Sequence, residues 1–170
     1  MKWRGLGGKA SAGAVVSVLT VALVSVAGQV PAHANDLVYT FQNVASDQNL
    51  DMVQGVKQLR AWSPQFDGSD NIKPQQRFAV KAGTVLPGHL LQSVATSQCL
   101  RAVGKDLAVE SAACNPGVKA QLWSASFASD GDRIESTKFP GYCIQDEGAD
   151  RAVVLRSCNN QTKQSWMALS

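Results

Sequence analysis

A glutamine followed two residues on by a large aromatic recurs three times in this 170-residue chain: Gln76-Arg77-Phe78, Gln121-Leu122-Trp123 and Gln164-Ser165-Trp166. The glutamines stand 45 and then 43 residues apart. Recurrence at that period points to one supersecondary unit built three times, each burying its aromatic with its neighbours'. The residues ahead of each triplet extend the match. Phe41-Gln42-Asn43-Val44-Ala45-Ser46-Asp47-Gln48-Asn49-Leu50-Asp51 aligns without a gap to Leu91-Gln92-Ser93-Val94-Ala95-Thr96-Ser97-Gln98-Cys99-Leu100-Arg101. A looser third copy runs from Ile134-Glu135-Ser136 through Gly141-Tyr142 to Cys143-Ile144-Gln145.

The first 34 residues read as an export address. Lys2, Arg4 and Lys9 precede an apolar run from Ala12 to Ala27, and Ala32-His33-Ala34 offers a small-x-small cleavage site. The run is short and interrupted by Gly13, Ser17, Thr20, Ser25 and Gly28, which disfavours a membrane anchor. The mature protein is therefore expected to be secreted and to span 35–170, with no stable membrane insertion. It carries thirteen basic and thirteen acidic residues. A nucleic-acid binder needs a basic footprint, and this composition provides none.

All four cysteines lie after the signal, as Cys99 and Cys114, then Cys143 and Cys158, each pair fifteen positions apart. An even count in an exported chain indicates disulfides, and three connectivities are open. Repeat symmetry favours Cys99–Cys114 and Cys143–Cys158, each worth about 3 kcal/mol on the chain-entropy model. No C-x-x-C spacing is present and His89 is the only histidine after the signal, so no metal or cofactor is expected.

Short segments rich in Val, Leu, Ile and Thr alternate with turn chemistry such as Asp67-Gly68, Pro87-Gly88, Asn115-Pro116-Gly117, Asp130-Gly131 and Pro140-Gly141. The pattern predicts an all-β domain. Candidate strands are 38–44, 77–81, 90–94, 100–103, 106–109, 134–136 and 153–157. The segment 52–62 is compatible with a short helical turn. Repeat 1 departs from the others: it has Asn49 where the first cysteine belongs, Trp62 near the second, and a surplus around Trp62-Ser63-Pro64-Gln65-Phe66-Asp67-Gly68-Ser69-Asp70. That loop either exposes Trp62 and Phe66 for binding or lets Trp62 fill the volume of the missing disulfide.

The three Gln-x-aromatic marks, with Cys99-Leu100, Cys114-Asn115, Cys143-Ile144 and Cys158-Asn159, resemble the ricin B-type lectin family over nearly the whole of 35–170. The resemblance implies a β-trefoil of about twelve strands, with repeats at about 37–82, 83–129 and 130–170. It makes Gln76, Phe78, Gln121, Trp123, Gln164 and Trp166 core residues. It also implies shallow sugar sites, one per repeat. Each is built on an aspartate two positions after the first cysteine, a stacking aromatic, and an asparagine beside the Gln-x-Trp.

Only repeat 1 keeps the aspartate, as Asp51; repeat 2 has Arg101 and repeat 3 Gln145. At the stacking position repeats 2 and 3 have Ala112 and Arg156, while repeat 1 offers Arg60 with Trp62 two positions away. Gln75, Ala120 and Lys163 replace the asparagine. The candidate carbohydrate-binding residues are thus Asp51, Trp62 and Gln75 in repeat 1, and a shifted Asp146 with Asn159 in repeat 3. The expected partner is a glycan or glycoconjugate. A secreted partner protein is the alternative, since lectin-like subunits of cytolethal distending toxins look similar. Catalysis is not expected: His89 has no G-x-S-x-G context, and nothing selects a carboxylate pair for glycoside hydrolysis.

Overall fold

The computed structural model describes residues 36–83 and 86–170; the expected export signal lies outside the described residues. Among the described residues twelve strands form, four per repeat. Repeat 1 contributes β1 (Leu37–Asn43), β2 (Asn49–Asp51), β3 (Arg60–Trp62) and β4 (Phe78–Ala82). Repeat 2 contributes β5 (His89–Ser93), β6 (Gln98–Ala102), β7 (Val109–Ala113) and β8 (Trp123–Ser124). Repeat 3 contributes β9 (Glu135–Ser136), β10 (Tyr142–Gln145), β11 (Val154–Ser157) and β12 (Trp166–Leu169). Among the described residues, no helix is long and apolar enough to cross a membrane.

The outer strands of each repeat make a six-stranded antiparallel barrel. β1 pairs with β4 and β12, β4 with β5, β5 with β8, and β8 with β9. It closes where Asp132, just ahead of β9, and Trp166 exchange both backbone hydrogen bonds. The inner strands of each repeat pair as hairpins β2–β3, β6–β7 and β10–β11. The hairpins meet in a ring of three equivalent backbone bonds. Leu59 N–H donates to Val109 O (3.0 Å), Val109 N–H to Val153 O (2.9 Å), and Val153 N–H to Leu59 O (3.0 Å). Such a ring marks the pseudo-threefold axis of a β-trefoil.

Each motif residue has a separate job. Phe78, Trp123 and Trp166 are fully buried in one common core with Phe41, Leu50, Leu91, Leu100, Ile134 and Ile144. The two indoles satisfy their N–H groups on carbonyls, Trp123 on Leu100 O (3.3 Å) and Trp166 on Ile144 O (3.1 Å). The glutamines end 3-10 turns at Pro74–Gln76, Lys119–Gln121 and Thr162–Gln164. Each straps its hairpin to the strand bearing the aromatic. Gln121 Nε2 donates to Ala113 O and its Oε1 accepts from Asn115 N–H; Gln164 does the same with Ser157 O and Asn159 N–H. Gln76 matches them with Ser63 O and Gln65 N–H.

Disulfides join Cys99 to Cys114 and Cys143 to Cys158, each with Cα atoms 5.0 Å apart. In repeat 1 the threefold register puts Asn49 and Pro64 at the cysteine positions. Asn49 Nδ2 donates to Gln76 Oε1 (3.2 Å), so a hydrogen bond stands beside the place of a covalent link.

Three details depart from the sequence expectations. The strand expected at 106–109 begins at Val109, because Asp106 takes a left-handed φ of 59° and turns the chain back. No helical turn forms over 52–62. Gly55, with φ +79°, makes a turn and the chain enters β3 instead. Finally, Trp62, not Arg60, is in register with Ala112 and Arg156: it faces Asn49 across the hairpin as they face Cys99 and Cys143.

One ion pair crosses each repeat boundary at the hairpin end: Lys57–Glu110 (3.2 Å), Asp106–Arg156 (3.1 Å) and Arg60–Asp150 (2.8 Å). Exposed pairs contribute little, but Glu110 is half-buried and also bonds Arg101 (2.9 Å). The Arg101 hydrogen bond, helped by Lys57, holds its carboxyl below the ordinary 4.5 against the opposing effect of desolvation. A depressed acid contributes stability that is full above its unfolded value and is lost as pH falls through the folded one. The melting temperature of wild type should therefore exceed that of Glu110→Gln at neutral pH, with the gap closing below pH 4.5. A gap independent of pH would show that Glu110 acts by packing alone.

Candidate functional site

The three positions equivalent to a sugar pocket differ in what their neighbours leave free. In repeat 2, Arg101 is tied to Glu110 across β6–β7, and Ala112 offers no ring. In repeat 3, Gln145 Oε1 accepts from Gln164 Nε2, and Arg156 is held by Glu147 (3.1 Å) and Asp106. Asp146 is buried and its carboxylate is engaged at both oxygens. Oδ2 accepts from Ser46 Oγ (2.6 Å) and Oδ1 from Gly148 N–H (2.7 Å), locking a turn to the β1–β2 connection. Asn159 caps its own turn through Gln161 N–H. Burial and these two bonds tie Asp146 to the fold.

Repeat 1 is different. Its register sets Asp51 opposite Arg60 and Asn49 opposite Trp62, so Asp51 and Trp62 share one face of the β2–β3 hairpin. Asp51 is 2% exposed, and Oδ2 accepts from Gln76 Nε2 (3.0 Å) while Oδ1 has no protein partner. Burial pushes this carboxyl above its ordinary value, outweighing the Gln76 hydrogen bond and the Arg60 charge. Trp62 is half-buried, with the Arg60 guanidinium over its ring at 5.7 Å. Gln75 donates from Nε2 to Gln65 Oε1 (2.9 Å).

The surplus of repeat 1 is a folded element of its own. Phe66 and Ile72 form a β-bridge, and Asp67 Oδ1 accepts from Ser69 and Asn71 N–H to fix the tip. Lys73 N–H donates to Gln65 O (2.8 Å) at the base. This small hairpin overhangs the outer face of β1 and leaves a cleft of about 460 Å³. Val38, Thr40 and Gln42 form one side, Phe66 and Asn71 the other, and Arg77 and Asn49 also line it. The sequence places Trp62 and Phe66 in one loop. The structure separates them: Trp62 ends β3, and Phe66 stands 54% exposed on the small hairpin. Arg77 and Asn49 escaped the sequence reading, because the first sits inside a core motif and the second marks a missing cysteine.

The model of the ricin-type β-trefoil lectin domain matches residues 37–166. The chain belongs to that family. Solved structures similar to this ricin-type domain include the Rhizoctonia solani agglutinin, 16% identical over 79% of this chain and 95% of that one, TM-score 0.64. Another is the Haemophilus ducreyi cytolethal distending toxin, 16% identical over 78% and 82%, TM-score 0.62. A third is the GlcNAcα1-4Gal releasing endo-β-galactosidase of Clostridium perfringens, 12% identical, TM-score 0.64; 78% of this chain is covered but only 32% of that one. At these identities the likeness shows the shared trefoil. No curated protein sequence matches.

Among the described residues, one acidic and cysteine grouping comes close enough to suggest a metal: Glu135 with Cys143 and Cys158. Both sulfurs are spent in the disulfide, and a disulfide offers no thiolate ligand.

Proposed function

We propose that this ricin-type domain is a secreted, non-catalytic carbohydrate-binding module whose family sugar site survives in repeat 1 alone. The observation that carries the reading is the pairing of Asp51, with an acceptor still free, and Trp62 on one hairpin face. A carboxylate is a strong acceptor for sugar hydroxyls, and an indole face suits the apolar side of the ring. Repeats 2 and 3 have lost both groups, and two of the replacements, Arg101 and Arg156, are held in ion pairs. Because Asp51 is nearly sealed, binding must include the cost of uncovering it, so affinity at this site is weak.

The two disulfides favour an oxidising, extracellular setting. A glycan array read with the folded protein tests the function. Trp62→Ala should lower binding to the best glycan about tenfold without abolishing folding. A folded protein that binds no glycan would sink the lectin reading. It would then favour the second reading, a protein-binding subunit of a secreted complex, which the exposed Phe66 supports.

A further inference from the structure

Repeat 1 also carries a cleft between β1 and the small hairpin at 65–73, and its chemistry differs from that of the Asp51 face. Phe66 is largely exposed on a hairpin whose tip and base are both hydrogen-bonded. An aromatic face held at the edge of a concavity offers the apolar side of a sugar ring a surface to rest on. Arg77 is half-buried at the cleft, and among the described residues its guanidinium makes no ion pair or hydrogen bond. Asn49, 1% exposed, gives Nδ2 to Gln76 and leaves Oδ1 without a partner. Asp70 and Asn71 add a carboxylate and an amide on the rim. The size, the apolar wall and the few convergent polar groups match a small-ligand site.

We propose that this cleft is a second saccharide site, separate from the Asp51 pocket, and that it takes a short neutral oligosaccharide; the inference rests on the lectin reading above. A sugar ring stacks on Phe66, Arg77 donates to ring or glycosidic oxygens, and Asp70 accepts from hydroxyls on the rim. Neutral glycans fit the charge. Arg77 shares the cleft with Asp70, so the charged side chains of the lining balance and an acidic sugar gains no net attraction. A peptide strand finds little free edge on β1, which is bonded to β12 over Thr40–Asn43 and to β4 over Leu37–Tyr39.

The test compares three variants of the whole protein, Phe66→Ala, Arg77→Gln and Trp62→Ala, on an array of neutral and sialylated oligosaccharides, with titration calorimetry on the best neutral ligand. Phe66 is exposed and Arg77 unpartnered, so the first two should keep the wild-type melting temperature. Each is expected to weaken the neutral ligand about tenfold, and Phe66→Ala with Trp62→Ala should lose more than either alone. Glycan binding that Trp62→Ala removes while Phe66→Ala and Arg77→Gln leave it unchanged overturns this proposal and keeps the lectin reading. A preference for sialylated ligands dependent on Arg77 overturns the neutral assignment. Absence of all glycan binding overturns both.

Discussion

Replacing Trp166 by alanine is expected to destabilise the protein by about 3–5 kcal/mol. The indole is 1% exposed and belongs to the common core. Its loss leaves a cavity where the three repeats meet, and it also removes the donor to Ile144 O, a buried carbonyl. Trp166 further sits where β12 closes the barrel against Asp132, so any backbone collapse into the cavity disturbs closure. Trp166→Phe should cost far less, because repeat 1 fills the equivalent place with Phe78 and stays fully buried. Equilibrium denaturation by guanidinium measures both. A loss below about 1.5 kcal/mol for the alanine variant would mean the core repacks around the gap.

Most of the fold was legible because core positions repeat in sequence. Leu50, Leu100 and Ile144 fall beside Asn49, Cys99 and Cys143, and that register carries directly into three hairpins. The errors arose where local signals compete. The apolar run Asp106 to Val109 looks like a strand, but the hairpin needs a left-handed turn residue at Asp106, and tertiary pairing decides where β7 starts.

The candidate site was less legible, for a physical reason. Counting along repeat 1 from Gln76 misplaces Trp62, since the small hairpin at 65–73 adds residues between Pro64 and the 3-10 turn. Counting forward from Asn49 keeps the register, because Trp62 follows it by the same interval as Ala112 follows Cys99 and Arg156 follows Cys143. The hairpin pairs agree. But spacing does not show that Asp146 is consumed by Ser46, a hundred residues away. Hydrogen-bond occupancy, which spacing does not reveal, distinguishes Asp146 from Asp51, whose Oδ1 has no protein partner.

That distinction gives Gln76 its own expected result. Gln76→Ala should cost about 3–4 kcal/mol, clearly more than Gln121→Ala, although both glutamines occupy the same place in the repeat. Gln121 bonds two backbone groups, and the neighbouring Cys99–Cys114 disulfide holds its hairpin regardless. Gln76 bonds four partners: Asn49, Asp51, Ser63 O and Gln65 N–H. No disulfide stands behind it, so its removal strands a buried amide and a buried carboxylate together. The hydrogen bond from Gln76 is the strongest influence pulling the Asp51 carboxyl down, and without it burial raises that carboxyl further. A raised acid costs most when forced to ionise, so the penalty of Gln76→Ala should be larger at about pH 7 than at about pH 5. Unfolding free energies at the two pH values decide the point. Equal penalties would mean that Asp51 draws its stabilisation from Arg60 instead, and that the glutamine serves only to strap the hairpin.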